Sequence, residues 1–295
     1  MRVILLLLAI LWIQLFASLA HTWRHGEYYE FGWFVPWLAL GLAWRRWSLI
    51  APEAQPAAAT TSPRSGILLA TAILLAAAAI IPLRLIGTMD PGWRPPILLH
   101  ALLVCTGTHA LLWILAGRRI SLTFIPVTIF ALSAVPYPWR IEQEVIRALT
   151  GIVLMITHDA FLITGHPVEL LGENLVLGHD VVEVNDGCSG IRSFQTLVMV
   201  ALFFGELFLL PVTRRIALLA VAAASAIVFN TIRAYWLANT HFFHGVEAAN
   251  AAHDRIGHTT FLLSAATLWL AAYLLLQLDF RRRTLIRRSH QKPAP

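Results

Sequence analysis

Apolar runs of about twenty residues, half of them closed by a pair or triplet of arginines, leave this chain few ways to fold. A run of that length matches the hydrocarbon thickness of a bilayer when it is helical. In lipid the backbone must satisfy its own polar groups, so each spanning run has to be an α-helix. Of the 295 residues 58% are hydrophobic and 13% charged, against about 25% charged in a soluble globule. The chain therefore reads as all-α, a polytopic integral membrane helical bundle.

The runs set the organisation. Eight transmembrane helices are expected, at about 3–20, 31–44, 66–87, 96–116, 120–137, 189–211, 216–239 and 258–279. The first has signal-peptide character, with Ser18-Leu19-Ala20 as a passable cleavage site. Residues 51–65 form a polar linker rich in Ala, Pro and Thr. Segment 140–164 carries Glu142, Glu144, Arg147, His158 and Asp159 around a short apolar stretch, and is expected to lie on the membrane surface as an amphipathic helix. Polar connections are expected at 165–187 and 240–257. Residues 1–280 then form a single transmembrane domain, followed by a basic tail, 281–295.

The net charge of +6 is not a nucleic-acid signal, because the arginines sit in short clusters between apolar runs. Arg2, Arg45-Arg46, Arg118-Arg119, Arg214-Arg215 and Arg281-Arg282-Arg283 all face the cytoplasm under the positive-inside rule, provided 140–164 does not cross. Both termini and the 51–65 linker are then cytoplasmic. The loops 165–187 and 240–257 are periplasmic, and the expected partners are membrane lipids and a membrane-proximal substrate. Two cysteines are too few for a disulfide framework.

Under this topology three chemical groups share the outer face. Cys188 precedes the sixth span, Arg233 lies about six residues before the end of the seventh, and His253 lies in the connection before the eighth. A thiol attacks carbonyls as the thiolate. A guanidinium within a span is costly and needs a partner or a polar cavity, where it can stabilise a thiolate or an oxyanion. An imidazole can serve as general base and then acid. Supporting candidates are Asp186 as a helix cap, Ser189, Gly190 for a close backbone approach, Asn230 one turn before Arg233, Asp254 beside His253, and Gly257. His253 and His258 are poorly spaced to share zinc, so neither metal nor cofactor is expected. Two other readings need no nucleophile: a transporter or lipid-handling protein with an anion site at Arg233, and a noncatalytic polysaccharide-assembly scaffold.

At these residues the chain resembles the exosortase/archaeosortase family of membrane cysteine proteases and transpeptidases. Cys188-Ser189-Gly190-Ile191-Arg192-Ser193 looks like its cysteine motif. Asn230-Thr231-Ile232-Arg233 matches Asn-x-x-Arg, and His253-Asp254-Arg255-Ile256-Gly257 matches the histidine motif. Gly32-Trp33-Phe34-Val35-Pro36 leading to Arg45-Arg46, and Ile141-Glu142-Gln143 after the proline-ended fifth span, are also similar. The likeness runs from about 25 to 280. It implies a helical bundle in the bacterial inner membrane whose Cys188 is nucleophile, His253 acid/base and Arg233 stabiliser. It further implies substrates that are exported proteins with a C-terminal sorting signal (a Pro-Glu-Pro-like motif, an apolar helix and a basic tail), and a link to surface protein sorting and exopolysaccharide.

Overall fold

The computed structural model describes residues 2–26, 28–50, 78–90, 92–172, 174–177, 180–183 and 189–290. The linker 51–65, the first part of the expected third span, Asp186, Cys188 and the last five residues lie outside that set. The chain divides into two compact units, Met1–Ile141 and Glu142–Pro295.

The first unit is built from α1 (Arg2–His25), a 3-10 turn (Glu30–Trp33), α2 (Val35–Ile50), α3 (Ala78–Met89), α4 (Arg94–Ala116), α5 (Arg118–Thr123) and α6 (Ile125–Leu132). Leu15, Leu19 and Trp23 recur every fourth residue of α1 and are buried, which is the spacing of one helix face. That face meets α4, where Trp12 Nε1 donates to Thr108 Oγ1 at 3.0 Å. Trp23 Nε1 donates to the Ala134 carbonyl at 2.9 Å, and its indole fills the space a Cβ on Gly32 would need. The expected fifth span is not one helix. Pro126 removes a backbone donor inside the run, and the segment folds as α5 and α6. His109 of α4 ties both halves down, through Ser121 Oγ at 3.3 Å and Thr128 Oγ1 at 3.0 Å.

The second unit contains most of α7 (Trp139–Ile163), a small sheet, α8 (Ile191–Leu207) and α9 (Val212–His290). On α7 the residues Glu142, Ile146, Leu149, Val153, Thr157 and Phe161 are buried at spacings of three and four, the amphipathic face the sequence predicts. Its 25 residues are nonetheless long and apolar enough to cross a membrane on length and composition, as are Arg94–Ile114 and Val212–Leu278. The sequence reading of an apolar stretch too short to span considered only the ten-residue core of this helix.

The described part of the connection 165–187 contains strands. Strands β1 (Glu169–Leu171), β2 (Asn174–Leu177) and β3 (Asp180–Glu183) form an antiparallel sheet in the order β1-β2-β3. The segment 240–257 is not a loop: α9 is continuous except at Gly245, where φ 84 and ψ 170 break it into two arms, 212–244 and 246–290. Only glycine takes that conformation without strain.

The two arms and α8 share one core. Leu218, Ala222, Ala226, Asn230, Ala234 and Ala238 are buried every fourth residue along the first arm. Ala252, Ile256, Thr260, Ser264, Leu268 and Ala272 do the same along the second. Small residues at this spacing let helix backbones approach closely in lipid. Leu197 and Ala201 of α8 join Leu218, Ala222, Leu268 and Ala272 in one cluster. Val228, Ile232, Trp236, Leu262 and Trp269 are exposed, the apolar outward surface of a lipid-facing bundle. At the α8–α9 turn, buried Glu206 pairs with Arg215 at 2.9 Å, and Arg214 Nη1 donates to the Leu275 carbonyl at 3.1 Å.

Candidate functional site

The site lies at the opposite end of this three-helix core from the Glu206–Arg215 pair. From Arg215 to Arg233 the first arm rises about 27 Å, roughly a hydrocarbon thickness. Arg233 faces the second arm. Its Nη2 donates to His253 Nε2 at 2.9 Å, across 20 residues of sequence. The helix hairpin folded at Gly245 creates this contact: Arg233 lies about three turns before the glycine and His253 about two turns after it.

The bond fixes a tautomer. A guanidinium can only donate, so Nε2 presents its lone pair to Arg233 and the ring proton of neutral His253 sits on Nδ1. Nδ1 faces Asp254 Oδ1 at 3.3 Å. Asp254 is 92% exposed and His253 44%, so that second contact is solvated and weak. His258 turns away, with Nδ1 bonded at 2.6 Å to the Asp254 carbonyl.

Gly257, one turn after His253, lies beneath the guanidinium. A Cβ there would sit 3.5 Å from Arg233 Nε, so alanine fits and a longer side chain does not. Arg233 Nε is buried and has no hydrogen-bond partner among the described residues. A small cavity of about 10 Å³ opens beside it, lined in part by Ser193, Asn230, Gly257, Thr260 and Ser264.

The third element arrives through α8. Gly190 is its N-cap, in the left-handed region at φ 78. A Cβ on Gly190 would be 2.6 Å from Asn230 Cγ. Glycine is thus required twice over, by its backbone angle and by the close approach to a buried side chain. Ser189 is buried, and its Oγ accepts from the Ile191 amide at 3.3 Å. Ser189 thus meets a first-turn amide of α8; the capping expected of Asp186 falls outside the described residues.

Of the residues singled out from sequence, Arg233, His253, Gly257, Asn230, Gly190 and Ser189 fall at one end of one core, and Asp254 at its solvated rim. Asp186 and Cys188 are outside the described residues. Arg233 sits deeper along its helix than expected, because the first arm runs on to residue 244. Above it, Tyr235 packs with Phe161, and Phe242, Phe243 and Phe161 pack with His166, ring centroids 4.8 to 6.3 Å apart.

Ser193 of α8 closes the cysteine motif, and Gln195, two residues on, was not singled out from the sequence. Ser193 lines the cavity at Arg233. Gln195 is 2% exposed, and neither amide atom has a partner among the described residues. The signal was present: Gln195 follows Cys188 by seven residues, at the start of the apolar run of α8. Among the described residues no group of three or more His, Cys, Asp or Glu could hold a metal ion.

The family model described as transmembrane exosortase matches residues 23–270. No curated protein and no solved structure matches the chain.

Proposed function

The chain belongs to the transmembrane exosortase family, and from that premise we propose that it is a membrane cysteine peptidase or transpeptidase acting at the outer end of the α8–α9 core. The observation that carries this reading is the Arg233–His253 bond of 2.9 Å, at the end of the core where Gly190, two residues after Cys188, closes on Asn230.

The chemistry follows from those groups. Arg233 first gives up its bond to His253 Nε2, the Cys188 thiol then passes its proton to the freed lone pair, and the thiolate adds to a peptide carbonyl carbon. The carbonyl electron pair moves to oxygen. Protonated Nε2 no longer accepts from Arg233, so the guanidinium pairs with the new oxyanion. Collapse of the tetrahedral intermediate breaks the C–N bond. The amine leaves with the His253 proton, and a thioester remains on Cys188. Water then gives a carboxylate; an amine acceptor gives a new amide. In both cases the C–S bond breaks and the sulfur leaves as thiolate.

The substrates in this reading are exported proteins carrying a C-terminal motif, an apolar helix and a basic tail. The setting is the bacterial inner membrane, with both termini cytoplasmic and the site periplasmic. The arginine clusters at the far end of the core support that orientation. Cells carrying Cys188→Ala or Cys188→Ser should accumulate unprocessed substrate while making normal amounts of enzyme. Normal processing in Cys188→Ala would reject the assignment.

A further inference from the structure

We propose that Ser193 is a positioning residue for Arg233. When the guanidinium leaves His253, the Ser193 hydroxyl accepts from Arg233 Nε and holds the cation where the oxyanion forms. The role in the reaction rests on the peptidase reading; the contact itself rests on geometry alone.

The reaction asks two things of one side chain. Among the described residues Arg233 makes one hydrogen bond, from Nη2 to His253 Nε2 at 2.9 Å. That bond has to break before His253 can take the thiol proton. A long side chain freed from its one anchor regains rotamer freedom, and ordering it again at the carbonyl oxygen costs entropy. A second anchor on the same guanidinium removes that cost from the chemical step.

Nε is the atom that lacks an anchor. It is buried and has no acceptor among the described residues. A buried N–H on a charged group is costly to leave unpaired. Solvent does not reach the atom, so its acceptor has to come from the protein groups that line the cavity of about 10 Å³ beside it.

Besides Arg233, four polar side chains line that cavity: Ser193, Asn230, Thr260 and Ser264. Three of them are fixed. Thr260 Oγ1 is turned to the Ile256 and Gly257 carbonyls at 2.9 and 3.1 Å. Ser264 Oγ donates to the Phe261 carbonyl at 2.7 Å. Both hydroxyls are thus folded back onto their own helix. Asn230 is buried and wedged against Gly190. Ser193 is half-buried and makes no hydrogen bond among the described residues. Its hydroxyl turns about a single side-chain torsion and offers two lone pairs. A partnerless donor and a partnerless acceptor therefore flank one small cavity, and their meeting closes it. The anchor of the guanidinium then passes from the helix arm of the base to α8, the helix that Cys188 leads into.

The test uses the full-length enzyme in detergent, labelled with 15N-arginine. Loss of one signal in Arg233→Lys identifies the Arg233 Nε–H. His253→Ala removes the Nε2 anchor and mimics the released cation. Exchange of its Arg233 Nε–H with solvent should be slow. Adding Ser193→Ala should speed that exchange about tenfold, the share of one hydrogen bond to a charged group, and adding Ser193→Thr should not. Equal exchange with and without the Ser193 hydroxyl would overturn the contact, whether or not the enzyme is a peptidase. Kinetics on a synthetic peptide with a sorting motif and apolar helix test the role. With His253 intact, Ser193→Ala should lower kcat about tenfold, with KM and the unfolding midpoint unchanged, and Ser193→Thr should keep most of kcat. In Arg233→Lys, where Cε replaces Nε, Ser193→Ala should change nothing further. An equal fall in the Arg233 and Lys backgrounds would make Ser193 a packing residue and overturn its positioning role. No cleavage by wild type, with the exchange result intact, would instead overturn the peptidase reading and the role in the reaction with it.

Discussion

Arg233 Nη2 donates to His253 Nε2 at 2.9 Å from the opposite arm of the α9 hairpin. The nitrogen that a general base needs is therefore unprotonated, with its lone pair engaged until Arg233 moves off. It is held by the same cation that the proposed reaction later requires at the carbonyl oxygen. His253→Gln separates the two roles. Its carbonyl still accepts from Arg233 but cannot take up a thiol proton. Processing should be lost with the thermal unfolding midpoint near wild type. A processed substrate in His253→Gln would remove His253 from the proton path.

Arg233→Lys should lower processing by about 100-fold or more, the range for loss of one oxyanion donor. An ammonium keeps the charge but lacks the fork that reaches both His253 and a substrate oxygen. Radiolabelled substrate chased in cells gives the rate, and a rate equal to wild type would contradict the assignment.

Gly190→Ala places a methyl 2.6 Å from Asn230 Cγ at a positive φ. The variant should lose about 1–3 kcal/mol of stability, the usual cost of such strain. Adding Asn230→Ala should return the packing part of that loss but not the backbone part. Unfolding in detergent, followed for both single variants and the double, measures the coupling. Strict additivity would show that the two side chains do not meet.

Glu206 is 1% exposed beside Arg215, itself 20% exposed. Glu206→Leu alone strands a partly buried cation and should cost about 3–5 kcal/mol. Glu206→Leu with Arg215→Met removes both charges and should be nearer wild type. Unfolding midpoints test this, and a double variant less stable than Glu206→Leu would show that the pair stabilises the turn by itself.

Gly257→Ala should process substrate normally, since a methyl there makes ordinary contact with Arg233. Gly257→Leu should not, because its branch would displace the guanidinium. A Gly257→Leu enzyme as active as wild type would move Arg233 away from the reacting groups.

The all-helical membrane character of the chain and the shared level of Arg233 and His253 were legible because apolar runs set helix length and depth. What stayed hidden was helix continuation. His241 and His244 read as part of a polar connection, yet Phe242 and Phe243 beside them pack onto His166. Tertiary contact holds the helix where composition alone would end it. Pro126 was a visible break in the fifth run that hydropathy outweighed. The sheet at 169–183 rests on strands of three or four residues, too short for alternation to stand out. Gln195 was passed over because a single amide barely changes the hydropathy of its run.

Because α9 doubles back at Gly245, the spacing between the cation and the imidazole is set by counting residues on either side of a single pivot. Each residue added to one arm alone would advance that side chain about 1.5 Å and turn it through about 100°. One inserted alanine between Arg233 and the pivot would therefore point the guanidinium away from His253. The hairpin works as a length standard, and the contact depends on the number of residues between the two side chains as much as on the side chains.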